Sequence, residues 1–418
     1  MNLKDRLARL EALNKKPDPG PEPSSSADWV AQLAAELQIS VLERDKSFVL
    51  VKENTYPIYR DPLFAERRDL GFDAPCLYRL TGDGPQHPHN LSRMLFIDTE
   101  TTGLAGGTGT YAFLVGVGTI ELDHVRVRQF LLPDFAGEWL MLEELTRMLE
   151  ASEATISFNG KSFDLPLLRT RFVLNSMVPV LEDMHHIDLL HAARRIWRRR
   201  LPACDLQSLE RHILGEERVG DIPGSLIPQL YFEFIRKRQA LLLRDVLEHN
   251  FHDIVHLARL AVVMSAIAEA PHQHLSEPED LYSVARYFHY AGHFPEAADL
   301  IRTLLETPED LAAPMLDRLT LMLAMTLKKM GEWEEVGQFF LSLRERGMRH
   351  PVFIEEYAKY LEHRRKDYRE ALLVVGEGLS YLDRVNQLNP ASPLMKFKAP
   401  LRHRRGRLTQ RLANQKGD

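Results

Sequence analysis

The clearest pattern along the chain is a change of hydrophobic period. Between about residues 91 and 265, short apolar runs of strand composition alternate with helical stretches. MLFIDTE ends an apolar run in acids, YAFLVGVGTI and VRVRQFLL are β-rich, GEWLMLEELTRMLE is apolar at helical spacing, and ATISFN is a further buried strand. Strand, strand, strand, helix, strand, helix is the order of a mixed sheet with flanking helices, because antiparallel neighbours need only short turns and a parallel return needs a helical crossover. Upstream, residues 28–90 hold a helical pattern from Trp29 to Leu37 and the alternating run SFVLVKENTYPIY, which predicts one or two strands in a lead-in with no assigned role. Residues 1–27 join an amphipathic polar segment, expected to be helical, to KKPDPGPEPSSSA, the composition of a flexible linker.

After about residue 270 the strand signals stop and repetition begins. Ala285, Phe288, Gly292, Phe294 and Ala297 occupy the small, aromatic, glycine, aromatic and small positions of a tetratricopeptide helix pair, and Ala324, Leu327, Gly331, Trp333 and Val336 follow at the same offsets 39 residues later. A third set, Ala358, Leu361, Tyr368 and Ala371, fits if one extra residue enters its turn. The spacing predicts a short solenoid over residues 275–385, with an unrelated helical bundle as the alternative. Such an array would offer a face to a protein partner that the repeats do not specify. Residues 386–418 read as a basic tail, in which KFKAPLRHRRGR carries six lysines and arginines and no acid, a pattern expected to meet nucleic acid or an acidic partner.

With 418 residues the chain is long enough for two or three domains, and a net charge of −6 excludes capture of nucleic acid by the whole surface, leaving local basic patches. Cys76 and Cys204 have no CxxC or zinc-ligand spacing, which argues against a disulfide framework or structural zinc and favours a reducing, cytoplasmic setting. The polar N-terminus lacks the apolar core of a signal peptide, and no uninterrupted apolar stretch of about 18 residues occurs, so no membrane partner is expected.

Four carboxylates stand where folding alone does not require them. In LFIDTETTGL, Asp98 and Glu100 end an apolar strand two residues apart, so both side chains point to one face. Like charges held together cost stability unless a cation neutralises them, and Mg²⁺ or Mn²⁺ prefers such oxygen ligands. SFNGKSFDLP places Asn159 just past a buried strand and Asp164 near the start of a helix anchored by Leu165, Leu168 and Phe172. EHNFHDIVHLARL puts Asp253 on a helix whose apolar face runs through Ile254, Leu257 and Leu260. Singly, each acid reads equally well as a cap; jointly they define a candidate metal site. Asp188 in HHIDLLHAARR is expected to cap a helix and is left outside it.

These segments resemble the three motifs of the DEDD 3′–5′ exonuclease superfamily. D-x-E is met by Asp98 and Glu100, and N-x-x-x-F-D by Asn159, Phe163 and Asp164. The Y-N-x-x-D of the tyrosine branch is met by His249, Asn250 and Asp253, with histidine in place of tyrosine. The histidine branch spaces its base one residue further from the aspartate, where this chain has Glu248, so the sequence conforms fully to neither branch. With GLAGGTGTYAFLVGVG, CDLQSLERHILGEERVGDIPGSLIPQLYFEF and the helical repeats, residues 90–385 are similar to the YprB-type proteins, a bacterial group that pairs a ribonuclease H-like domain with tetratricopeptide repeats.

The resemblance implies an α/β ribonuclease H-like domain at residues 91–265, with a mixed sheet whose first three strands are antiparallel, followed by an all-α tetratricopeptide-like repeat domain. It implies hydrolysis of phosphodiester bonds in single-stranded DNA or RNA, as a 3′–5′ exonuclease, with two Mg²⁺ or Mn²⁺ ions. Asp98 would bridge both ions, Glu100 and Asp253 would complete the site of the nucleophilic water, and Asp164 would act largely through water on the other ion. His249 would orient or deprotonate that water, with His252 a rival on the same side of the helix. Thr101, Asn159, Phe163 and Asn250 are candidates for substrate contact. Arg194 and Arg198 join them from the arginine face of HIDLLHAARRIWRRRL, which reads equally as a solvated face. GLAGGTGT lacks the order and the lysine of a phosphate loop, so its glycines are expected to make a tight turn beside the metal site. A scaffold that binds nucleic acid without cutting it is the contrasting reading, favoured by the missing tyrosine; cleavage inside a strand is a third.

Overall fold

The computed structural model describes residues 26–58, 61, 64, 77–81, 90–103, 109–306, 309 and 311–415. The expected N-terminal helix, nearly all of the linker and the middle of the glycine-rich run lie outside these. The chain divides into two compact units, residues 1–274 and 275–418.

The first unit is built on a seven-stranded mixed sheet: β1 (Ser40–Arg44), β2 (Ser47–Pro57), β3 (Met94–Thr101), β4 (Ala112–Ile120), β5 (His124–Leu131), β6 (Ala154–Ser157) and β7 (His185–Asp188), in the order β1-β2-β5-β4-β3-β6-β7. Strands β3, β4 and β5 form the expected antiparallel meander, and β6 and β7 add in parallel beside β3. The lead-in acquires a place here, since β2 runs antiparallel to β5 from Leu50↔Leu131 to Pro57↔His124 and extends the sheet.

Alternation along the strands supplies two cores. Phe48, Leu50, Leu114 and Leu131 face α1 (Ser26–Leu37), while Val49, Val51, Val115 and Phe130 face α2 (Glu138–Glu150) and α3 (Asp164–Leu174), the two crossovers that return the chain to parallel strands. After β7 comes α4 (Leu189–Trp197), then α5 (Ile227–Lys237) and the 29-residue α6 (Leu241–Glu269). Both α5 and α6 pack on the α1 side. Among the described residues only α6 is long and apolar enough to cross a membrane, and 78 % of its apolar window is buried inside the protein.

Two glycines set how closely α6 approaches the sheet. A Cβ at Gly116 would lie 2.2 Å from Asn250 Oδ1, and one at Gly118 would lie 2.5 Å from Ile254 Cγ2. Gly116 is the partner of Asp98 across the β3–β4 ladder, so the missing side chain lets a helix residue reach a strand-end carboxylate.

The second unit is helical: α7 (Pro278–Ala291), α8 (Phe294–Leu305), α9 (Ala313–Met330), α10 (Trp333–Glu345), α11 (Pro351–Tyr360), α12 (Tyr368–Leu388) and α13 (Lys398–Gln415). Gly292 and Gly331 end α7 and α9 at φ of +89° and +90°, a conformation that favours glycine. The third pair turns through a π-helical Leu361–Arg365 and Lys366 at φ +55°, which absorbs the extra residue. Ala285, Ala297, Ala324, Val336, Ala358 and Ala371 are all fully buried. The basic tail departs from expectation: residues 398–415 are helical, and Arg404, Arg407 and Arg411 converge on Glu362, which is wholly buried. Two of the arginines read as partner contacts thus neutralise a carboxylate inside the unit.

Candidate metal centre

Strand β3 carries Asp98 and Glu100 beyond its buried start, MLFI, and the ladder to β4 shifts register between Glu100 and Thr101. Such a bulge ends regular pairing and re-aims the side chains around it. Asp164, at the first position of α3, accepts from both the backbone N–H (3.1 Å) and the hydroxyl (2.5 Å) of Thr99 through Oδ1. Gly160 permits this packing, because a Cβ there would lie 2.1 Å from Ser157 Oγ and 3.2 Å from Asp164 Oδ2. From α6, Asn250 Nδ2 donates to Asp98 Oδ2 at 2.8 Å, and Gln129 Nε2 holds Asn250 Oδ1 at 2.9 Å and the Leu247 carbonyl at 2.8 Å.

His249 and Asp253 lie one turn apart on α6, with His249 Nε2 3.5 Å from Asp253 Oδ2 and 3.8 Å from Glu100 Oε1. The other ring nitrogen, Nδ1, is 2.9 Å from both oxygens of Asp221, which fixes the ring's rotation. Arg218 spans Asp253, Asp221 and the buried Glu210, and Glu210 also pairs with His256 at 2.9 Å. His252 stacks on His256 with centroids 5.7 Å apart, and among the described residues no hydrogen bond or ion pair joins it to the four carboxylates. Position therefore distinguishes the two histidines: His249 faces the acids. Glu248, one residue earlier, is exposed.

The remaining sequence candidates are dispersed. Asn159, at φ +67°, is held through its backbone N–H by Asp188 Oδ1 at 2.8 Å. Asp188 also receives Lys161 N–H at 3.1 Å and caps α4 through Leu190 N–H at 3.1 Å, the capping role expected of it. Thr101 Oγ1 donates to the Gly103 carbonyl at 2.9 Å, and Phe163, just before Asp164, is 58 % exposed. Arg194 and Arg198 are exposed, and no hydrogen bond or ion pair among the described residues ties them to the acids. Thr99, Gln129, Arg218 and Asp221 were not foreseen. The signal for Asp221 and Arg218 lay only in the family-like segment around GEERVGDIPG, with no periodicity to point to them.

The electrostatics are those of a site short of positive charge. Burial, then the charges of Asp253 and Asp164, pushes Asp98 well above the usual carboxylate range. Burial and the neighbouring Asp98 do the same to Glu100. Burial lifts Asp164 to about 6 against the opposing hydrogen bonds of Thr99. Burial works against charge on His249, yet the Asp221 hydrogen bond and the charges of Asp253 and Glu100 together raise it to about 9. One donor atom each from Glu100, His249 and Asp253 falls within 4.8 Å of the others, a spacing that fits a single cation. Two carboxylates and an imidazole suit a divalent ion such as Mn²⁺, and the all-oxygen side of the cluster suits Mg²⁺.

A family model described as the RNase_H superfamily matches residues 95–265, a span that contains all four carboxylates and His249. The protein of Bacillus subtilis (strain 168) with the name "Uncharacterized protein YprB" is 32 % identical over 351 residues, covering 80 % of this chain and 81 % of that one.

Proposed function

Because this chain belongs to the ribonuclease H superfamily, in the lineage of YprB, we propose that its nuclease-like domain is a divalent-metal-dependent 3′–5′ exonuclease of the DEDD type acting on single-stranded DNA or RNA. The observation that carries the reading is the convergence of Asp98, Glu100, Asp164 and Asp253, from one strand, one helix start and one long helix, with His249 beside Glu100 and Asp253. Carboxylates gathered closely enough that Asp253 and Asp164 both disfavour charge on Asp98 are a cost that a protein tolerates where cations bind.

Asp98, Glu100, Asp164 and Asp253 would hold Mg²⁺ or Mn²⁺, two ions in the two-metal arrangement. Such ions, when bound, activate water and stabilise charge on the phosphoryl group. The chain's own residues supply the rest. Asn250 and Gln129 fix the rotamer of Asp98, and Thr99 fixes Asp164. His249, anchored by Asp221 at Nδ1, presents Nε2 toward Glu100 and Asp253, the position from which it orients the attacking water, or takes its proton once bound cations offset the carboxylate charge that otherwise keeps the ring protonated. The helical unit, read as tetratricopeptide-like, would recruit a protein partner.

A second reading, nucleic-acid binding without cleavage, draws on Arg218, whose guanidinium already occupies one oxygen of Asp253. A time course on 5′-labelled single-stranded DNA and RNA with Mg²⁺ or Mn²⁺, with Asp98→Asn in parallel, separates the two. A metal-dependent ladder absent in the variant supports the exonuclease; binding without cleavage in both chains supports the scaffold.

A further inference from the structure

An open groove of about 740 Å³ lies along α5, lined by Pro228, Gln229, Phe232, Glu233 and Arg236 of the helix and by Gly103. Its volume is within the range of ligand-holding clefts. Gly103 follows Glu100 by three residues, so at most about 11 Å of backbone separates the groove from the carboxylates. The polarity of α5 divides cleanly: Leu230, Tyr231 and Phe234 are buried in the core, yet Phe232 is 52 % exposed on the groove side. A ring half open to solvent on a groove wall leaves its face available for stacking. Arg236 is exposed with no hydrogen bond or ion pair among the described residues, whereas the groove's carboxylate, Glu233, is engaged by Lys237 at 3.3 Å and Gln229 at 3.4 Å. The groove thus offers one π-face and one unneutralised cation, and its acid is already matched.

We propose that this groove seats the unpaired end of the polynucleotide as it runs from the carboxylates, with a base stacked on Phe232 and a phosphate met by Arg236. The inference rests on the nuclease reading of the adjoining site and names how that site selects its substrate: stacking requires a base freed from its complement, so the groove admits single strands and refuses blunt duplexes. Phe163, exposed immediately before Asp164, supplies a second ring next to the acids, consistent with a strand threaded past aromatic surfaces.

The test is fluorescence anisotropy of a 5′-labelled single-stranded oligonucleotide on the full chain carrying Asp98→Asn, so that binding is read without cleavage. Phe232→Ala and Phe232→Leu should each weaken binding on the order of tenfold, Phe232→Trp should restore it, and a blunt duplex should bind weakly to all. Arg236→Gln should weaken binding and flatten its dependence on salt. Unchanged affinity in Phe232→Ala, or an equal loss in Phe232→Ala and Phe232→Trp, would overturn the proposal, and so would a duplex that binds as well as the single strand. Because the assay reads no hydrolysis, it stands apart from the cleavage time course on the parent chain: binding that depends on Phe232 with no cleavage by the parent retires the nuclease reading and keeps the groove, and cleavage by the parent with undiminished binding in Phe232→Ala does the reverse.

Discussion

Asn250 reaches Asp98 at 2.8 Å because Gly116, the residue opposite Asp98 in the neighbouring strand, has no side chain to stand between them. The contact couples the long helix to the sheet at the point where the acids gather. Gly116→Ala would place a Cβ 2.2 Å from Asn250 Oδ1, so the helix must shift or Asn250 must leave Asp98. The expected cost is about 1–3 kcal/mol of stability together with a large loss of activity. Urea unfolding and the oligonucleotide assay on the same preparation check this; a Gly116→Ala chain with native stability and rate would show that the close approach is dispensable.

Asp98→Asn is expected to act oppositely on stability. It keeps an acceptor for Asn250 but removes one charge from a cluster in which burial, then Asp253 and Asp164, disfavours ionisation. Without metal, the variant should be more stable by about 1–2 kcal/mol, while cleavage falls at least a thousandfold and the stabilisation by Mn²⁺ disappears. Thermal unfolding in chelator and in Mn²⁺ reads both effects. A variant that melts lower than the parent in chelator would contradict the repulsion.

Asp221→Asn leaves every carboxylate of the cluster in place and loosens only the ring that faces them. A hydrogen-bonded carboxylate behind a histidine typically contributes about 10–100-fold, so kcat should drop by that factor with KM little changed, and the pH profile should move to lower pH as His249 loses its first support. The same drop accompanied by an unshifted profile would assign Asp221 a role elsewhere.

His186 gives a pH dependence distinct from the site. Its Nε2 lies 2.8 Å from Ser157 Oγ, and burial depresses it from 6.5 to about 4. A histidine held neutral in the folded state contributes stability that is complete above its unfolded pKa of about 6.5 and is lost as pH falls toward 4. The loss is at most about 3 kcal/mol. His186→Gln should be the less sensitive chain across that window in chemical denaturation; parallel curves would mean that other groups carry the acid response.

How far the sequence reached depends on whether a feature is periodic. The four acids were legible because a strand's alternation and three ordered motifs place them, and the helical pairs were legible because small residues recur at fixed offsets. The extra residue foreseen in the third pair is the π-turn at Leu361–Arg365. The alternation of residues 47–57 announced strands but not their sheet, since nothing local names the partner of an edge. Asp221 and Arg218 sit in an irregular segment 28 and 35 residues before the groups they hold, a separation without any pattern. Arg404 and Arg407 of α13 have a role the sequence did not announce for a different reason: a basic run looks the same in sequence whether it awaits phosphate or answers a buried glutamate.

Glu362 has a further consequence in time. Two of its counter-charges, Arg404 and Arg407, follow it by 42 and 45 residues, so a nascent chain exposes the glutamate long before the arginines leave the ribosome. Until they do, the glutamate lacks these two counter-charges, and packing that removed it from water would leave its charge unanswered, a cost that α13 removes when it docks. In the sheet unit the comparable knot closes sooner, because Arg218 meets Glu210, Asp221 and Asp253 within 43 residues of chain that are made more than a hundred residues before Glu362, so the charges around the acids can be matched while the helical unit is still being made.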